Sequence, residues 1–234
     1  MRAIILAAGQ GTRLGNLTAS TPKCLVKVGT KSILEWQIKT LNSFGIEDIE
    51  VVIGTKGSCW NQVSYDAIKS LCPNIIMNFD NNTTMNGFSL YLGIKPPSEK
   101  PSIFIDGDVI FSQAIVELML VEENIILSRK NEDRSVTGAR IITDDSMYIS
   151  SMGRNILPEN SLWYIYSGMG KLNPKAKKSL EAIVLSDTTQ AEDIGYYLNI
   201  LSKKVKLKNV PIEKGWINVN TPEDLLRAEL LVEE

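Results

Sequence analysis

The 234-residue chain carries 25 Lys and Arg against 27 Asp and Glu, and 44% of it is hydrophobic. That is apolar material for one good core, with a near-neutral balance that makes no electrostatic case for nucleic acid as a partner. The lack of any histidine removes Ser/His/Asp and Cys/His triads, His-ligated zinc and imidazole bases together, leaving carboxylates, amides, Lys, Arg and a hard metal ion for chemistry.

Residues 3–7 read as a buried strand that breaks into a glycine loop. Gly9 and Gly11 allow positive φ and close backbone approach, so successive loop amides can converge on an anion. Arg13 adds a planar fork for phosphate oxygens, and Lys23, set by Pro22, a mobile point charge. That layout suits a triphosphate; without one it is a strand and turn with two solvated cations. Two familiar phosphate loops are excluded. Leu14 stands at the third glycine of a dinucleotide turn, the strand at 49–53 ends in Gly54-Thr55 with no acidic residue, and no Gly-Lys-Ser/Thr closes a P-loop.

Ser32 can cap a helix with Leu34, Ile38 and Leu41 on one stripe, ended by Gly45. A strand at 49–53 follows, then a loop at 54–57, a helix capped near Ser58, a strand at 75–77, a short helix at 88–94 and a strand at 102–105. This βαβα alternation predicts a mostly parallel sheet covered on both faces. Short strands at 125–127, 138–142, 146–150 and 162–166 look antiparallel, helices return at 174–185 and 191–201, and strands close the chain near 205–209 and 216–219. No repeat or composition break divides the chain, so one domain over 1–234 is expected. Cys24, Cys59 and Cys72 are scattered and odd in number, implying neither a disulfide framework nor a zinc site. The apolar N-terminal run is too short to span a membrane and has no cleavage pattern, so a cytoplasmic protein with no membrane partner is expected.

The strand at 102–105 runs into Asp106-Gly107-Asp108, at the carboxyl edge where open α/β sheets place ligands. Two carboxylates around a glycine can hold Mg²⁺ against phosphate oxygens, or simply make an Asp-Gly turn. Thr221 to Asp224 form a capping box with Pro222 at the first helical position. In Asn86-Gly87-Phe88-Ser89-Leu90-Tyr91-Leu92 the residues Phe88, Leu90 and Leu92 read as core, while Asn86-Gly87 opens a helix N-terminus. The aromatic residues Trp163, Tyr164, Tyr166, Tyr196, Tyr197 and Trp216 can cage a quaternary ammonium or serve as ordinary strand and core residues. Arg129, Lys130, Arg134 and Arg140 offer a phosphate clamp or a solvated surface. Phosphoryl and nucleotidyl transfer fits the whole inventory, because positioning and charge neutralisation dominate there.

The string Leu-Ala-Ala-Gly-Gln-Gly-Thr-Arg-Leu from Leu6 to Leu14, followed by Thr21-Pro22-Lys23, resembles the opening motif of the nucleotidyltransferase family with a GT-A-like fold. The resemblance implies a three-layer α/β/α, Rossmann-like fold with a mixed, mostly parallel central sheet. It implies nucleotide contacts from Leu6, Ala7, Ala8, Gly9, Gly11, Thr12, Arg13, Lys23, Asn86, Gly87, Ser89 and Asp106. Leu6 to Gly9 would line the base, Arg13 grip the β- and γ-phosphates, and Lys23 steady the α-phosphate and incoming oxygen. Arg13, Lys23 and Asp108 are the implied catalytic residues, and Mg²⁺ the implied cofactor on Asp108 and Asn220. Many relatives carry Asp where this chain has Asn220, and Asn218 is the other candidate ligand. The segment from Asn86 to Leu92 resembles cytidylyltransferases acting on alcohol phosphates, implying CTP and a small acceptor such as choline phosphate, inositol phosphate or a related phosphate or phosphonate. The alternatives are a sugar-1-phosphate enzyme using UTP or dTTP, and a catalytically silent binding module. No hexapeptide β-helix, acyltransferase or trimerising tail is expected, and the oligomeric state is not readable.

Overall fold

Ile4 and Ile5 are both wholly buried, yet they face different cores, as successive side chains of a strand must. The computed structural model describes residues 1–121, 123–131, 138–156 and 163–233. From the N-terminus come β1 (Arg2–Leu6), two 3₁₀ turns kinked at Gly15 within Thr12–Thr18, a third at Lys23–Leu25, and the small hairpin of β2 (Lys27–Val28) and β3 (Lys31–Ser32). Then follow α1 (Ile33–Asn42), β4 (Ile49–Gly54), α2 (Gln62–Leu71), β5 (Ile75–Asn78), α3 (Asn86–Ile94), β6 (Ser102–Asp106), β7 (Val109–Phe111) and α4 (Gln113–Met119). The second half runs β8 (Ile125–Asn131), β9 (Arg140–Thr143), β10 (Ile149–Gly153), β11 (Trp163–Leu172), α5 (Pro174–Ser186), α6 (Ile194–Ser202), β12 (Lys208–Pro211), β13 (Trp216–Asn218) and α7 (Pro222–Glu233).

β6, β1, β4 and β5 lie side by side and parallel. The antiparallel half is organised by β11, which pairs with β8 along one edge. Its other edge is shared, Tyr164 and Ile165 facing β9 and Met169 to Leu172 facing β6. One core packs Ile5, Val51 and Ile105 against Leu34, Leu41, Ile68 and Val116 of α1, α2 and α4. The other packs Ile4, Val52 and Phe104 against Leu90, Leu180 and Leu198 of α3, α5 and α6. The expected three-layer α/β/α fold with a mixed, mostly parallel sheet is the fold observed. Among the described residues no helix is long and apolar enough to cross a membrane.

Several boundaries differ from expectation for local reasons. Asn61, not Ser58, caps α2 by accepting from the Ser64 amide at 3.0 Å, while the Ser58 hydroxyl donates to the Ala19 carbonyl at 2.6 Å. Met147, at φ 65°, closes a turn around Asp144, so the strand expected at 146–150 begins at Ile149. The helix expected from 191 begins at Ile194 under an Asp193 cap, and the strand expected at 205–209 lies at Lys208–Pro211. The strand expected from 138 begins at Arg140, and residue 162 of the expected 162–166 strand lies outside the described residues. Ser32 caps α1 as expected, in a full capping box whose Ser32 amide holds the Glu35 carboxyl down at about 2.

Candidate active site

β1 and β6 end together, with Leu6 in register with Asp106 and the Gly107 amide donating to the Leu6 carbonyl at 2.9 Å. A Cβ on Gly107 would come within 2.8 Å of Ala7 Cα, so a glycine lets the chain turn here with a carboxylate on each side. β7 leaves this corner and pairs with β13, Asn218 opposite Val109, and the Val219 amide donates to the Asp108 carbonyl at 2.9 Å. The expected capping box of α7 then fixes the next residue. The Thr221 and Asn220 amides both donate to Asp224 Oδ2 at 2.9 Å, and the Asp224 amide donates to Thr221 Oγ1 at 3.3 Å.

Lys23 is the residue on which these segments converge. Its ammonium donates to Asp108 Oδ2 at 2.6 Å and to Asn220 Oδ1 at 2.8 Å, and the residue is only 8% exposed. The charge expected to be mobile is here held by two oxygens. Gly11 has the expected positive φ, 68°, and a Cβ there would meet Lys23 Cβ at 2.8 Å, so the loop rests on the lysine stem. Gly9 stays outside the left-handed region, a correction; a Cβ there would meet nothing within 4 Å, which leaves open space above the loop.

Leu6, Ala7, Gly9, Gly11, Thr12, Arg13, Lys23, Asn86, Asp106, Asp108, Asn218 and Asn220 line one cleft of about 920 Å³. Three expected contacts do not line it. The Ala8 carbonyl accepts from Asn81 Nδ2 at 3.4 Å, a Cβ on Gly87 would meet the Tyr197 ring at 2.5 Å, and Ser89 Oγ accepts from Asn78 Nδ2 at 3.3 Å. All three hold neighbouring elements together. Asn86 bridges two parts of the cleft, donating to Asp106 Oδ1 at 3.4 Å and accepting from the Ile194 amide at 3.0 Å. Burial, with the Asp108 carboxylate second, pushes Asp106 up to about 8, while Asp108 Oδ2 accepts from the lysine.

The aromatic cage does not form. Trp163, Tyr164 and Tyr197 are buried in the fold, Tyr196 is exposed, and of the six only Tyr166 and Trp216 line the cleft. Of the basic quartet, Arg129 and Lys130 line the cleft, Arg140 stacks on Trp163 and donates to the Ile156 carbonyl, and Arg134 lies outside the described residues. The sequence reading missed Arg154, which lines the cleft and pairs with Asp193, the cap of α6. An acidic residue just before an apolar helix was a findable signal for Asp193; nothing local marks Arg154.

Oxygen donors suited to a hard cation meet at Asp108 and Asn220. Asn218 Oδ1 adds a third, buried and without a hydrogen-bond partner, on the same cleft. An ammonium already fits between the first two, so the residues present suit a divalent ion. The set relies on amide oxygens, since among the described residues no group of three or more His, Cys, Asp or Glu could hold a metal.

Residues 2–128, just over half of the chain, match the family model described as nucleotidyl transferase. The chain is 27% identical over 228 residues to the bifunctional sugar-1-phosphate nucleotidylyltransferase/acetyltransferase of Sulfurisphaera tokodaii, covering 97% of this chain and 54% of that protein. A 54-residue stretch is 54% identical to choline-phosphate cytidylyltransferase of Streptococcus pneumoniae, covering 23% of this chain and 24% of that one. The solved structure of a phosphocholine cytidylyltransferase from Streptococcus pneumoniae aligns with a TM-score of 0.77 at 22% identity, over 99% of this chain and 98% of the other. That likeness shows the fold. The chain spans about half the length of the curated relatives that it matches along 97% of its own length.

Proposed function

The chain belongs to the nucleotidyl transferase family, and from that premise we propose that residues 1–234 act as one domain that transfers CMP from CTP to a small phosphorylated alcohol, releasing pyrophosphate. The observation that carries this reading is the meeting of Lys23, Asp108 and Asn220 beside a glycine loop that carries Arg13. The acceptor is a phosphate monoester, so its attacking oxygen is already an anion and needs no general base. A cleft without histidine suits that chemistry. Loop amides and Arg13 hold the β- and γ-phosphates in line for departure. Lys23 moves to the α-phosphate and the incoming oxygen, where negative charge grows in the transition state. Asp108 and Asn220, with Asn218 beside them, would hold Mg²⁺, which when bound supplies Lewis-acid neutralisation of the phosphate oxygens. Backbone groups of Leu6, Ala7 and Gly9 face the base, and Arg129, Lys130 and Arg154 line the cleft as candidate contacts for the acceptor phosphate.

Cytosine is favoured over uracil by the 54%-identical stretch shared with a choline-phosphate cytidylyltransferase. The match to a sugar-1-phosphate enzyme, 27% identical over 97% of this chain, supports a second reading, with UTP or dTTP and a sugar phosphate. Pyrophosphate release across CTP, UTP and dTTP, each with choline phosphate, inositol phosphate and sugar 1-phosphates, separates them. Mispairing one buried polar group typically costs about 1–3 kcal/mol, so kcat/KM for CTP should exceed that for UTP by roughly tenfold or more. Equal or higher efficiency with UTP or dTTP would promote the sugar reading, and no release with any pair would favour a silent module.

A further inference from the structure

We infer that Lys23 is the resident cation of the metal position in the nucleotide-free protein, and that divalent-ion binding there waits until a triphosphate draws its ammonium away. The geometry is that of a filled site. The ammonium lies 2.6 Å from Asp108 Oδ2 and 2.8 Å from Asn220 Oδ1, the two oxygens that would hold the ion. Asp108 is the one carboxylate of that pair, and Lys23 already neutralises it. A neutral amide supplies the other oxygen, so an incoming ion competes with Lys23 for the Asp108 carboxylate. The displacing group has a defined approach, because the loop suited to phosphate rests on the lysine stem at Gly11. Phosphate oxygens arriving over Gly9, where the backbone is open, bring both a new partner for the ammonium and new ligands for the ion. Lys23 thereby makes metal and nucleotide load together. The inference rests on the transfer reading only for the identity of the triphosphate.

The test is a titration of Mn²⁺ into nucleotide-free protein, with free Mn²⁺ read by its paramagnetic signal. A site occupied by an internal competitor shows an affinity reduced by the fraction of time it stands open, so Lys23→Met should bind Mn²⁺ at least about tenfold more tightly than wild type. Lys23→Arg, which keeps a cation on the same stem, should stay within about threefold of wild type, and Asp108→Asn added to Lys23→Met should erase the gain. Unchanged or weaker Mn²⁺ binding by folded Lys23→Met overturns the inference, as does a gain that survives loss of Asp108. Should Lys23→Met fail to fold, wild-type protein labelled with ¹⁵N-lysine carries the test. Mg²⁺ alone should leave the Lys23 Nζ resonance in place and Mg²⁺ with tripolyphosphate should move it, whereas movement with Mg²⁺ alone at the same concentration overturns the inference. No nucleotide enters the Mn²⁺ titration, so its outcome is separate from that of the pyrophosphate assay.

Discussion

On the proposed reading Asp108 serves two cations in turn, and removing its charge therefore has two separable costs. As partner of a largely buried lysine at 2.6 Å, it supports the resting structure. As the one carboxylate beside Asn220, it anchors the ion under the proposed chemistry. Asp108→Asn keeps the shape and a hydrogen-bond acceptor but leaves Lys23 without a counter-charge, so stability should fall by about 1–3 kcal/mol in urea unfolding. Turnover should fall much further, by roughly a hundredfold or more, because a metal anchor supplies several kcal/mol of transition-state stabilisation. A folded Asp108→Asn protein with turnover near wild type at saturating Mg²⁺ would remove Asp108 from the site. Side-chain chemistry was legible in the sequence where it is local. The glycine loop, Asp-Gly-Asp and the Thr221 capping box each lie within a few residues. The lysine's partners Asp108 and Asn220 are 85 and 197 positions away and Arg154 is 39 from Asp193, distances at which only the fold makes neighbours.

At the scale of elements, α3 lies against β1 through a point where no side chain fits. A Cβ on Gly93 would meet Ile4 Cγ2 at 2.3 Å, and Ile4 is wholly buried in the second core. Two effects oppose each other in Gly93→Ala. Alanine is the better helix former by about 1 kcal/mol, while forcing an extra carbon into a packed core costs about 1–3 kcal/mol. Ile4 is hemmed in by the sheet, so the steric cost prevails and a net loss of up to about 2 kcal/mol is expected in urea unfolding. A stabilised Gly93→Ala would show that α3 can lift off β1. Helices and strands with clear periodicity, such as α1, β4 and β6, were readable in advance. The three-residue β7 and the start of β10 were not, the first too short to show a period and the second displaced by the Met147 turn.

For the whole molecule, the lack of a disulfide framework has a consequence that the two-sided packing makes testable. Cys24 and Cys72 belong to the core between the sheet and the helices α1, α2 and α4, and Cys59 is also buried. Burial pushes Cys24 up to about 12 and raises Cys59 and Cys72 as well. An ordinary thiol near 8.5 is about a quarter thiolate at pH 8, whereas one near 12 is ionised in roughly one molecule in ten thousand, and the thiolate is the reactive form. Inaccessibility and suppressed ionisation act in the same direction. Three thiols should therefore react with an aromatic disulfide reagent in denaturant and essentially none in the native protein at pH 8. Native labelling should accelerate with urea in proportion to the unfolded fraction, because closed packing on the α1 face leaves global opening as the route to sulfur. One thiol reacting within seconds in the absence of urea would reveal a local opening on that face, and would show that the half of the fold beneath the glycine loop is less firmly closed than its packing indicates.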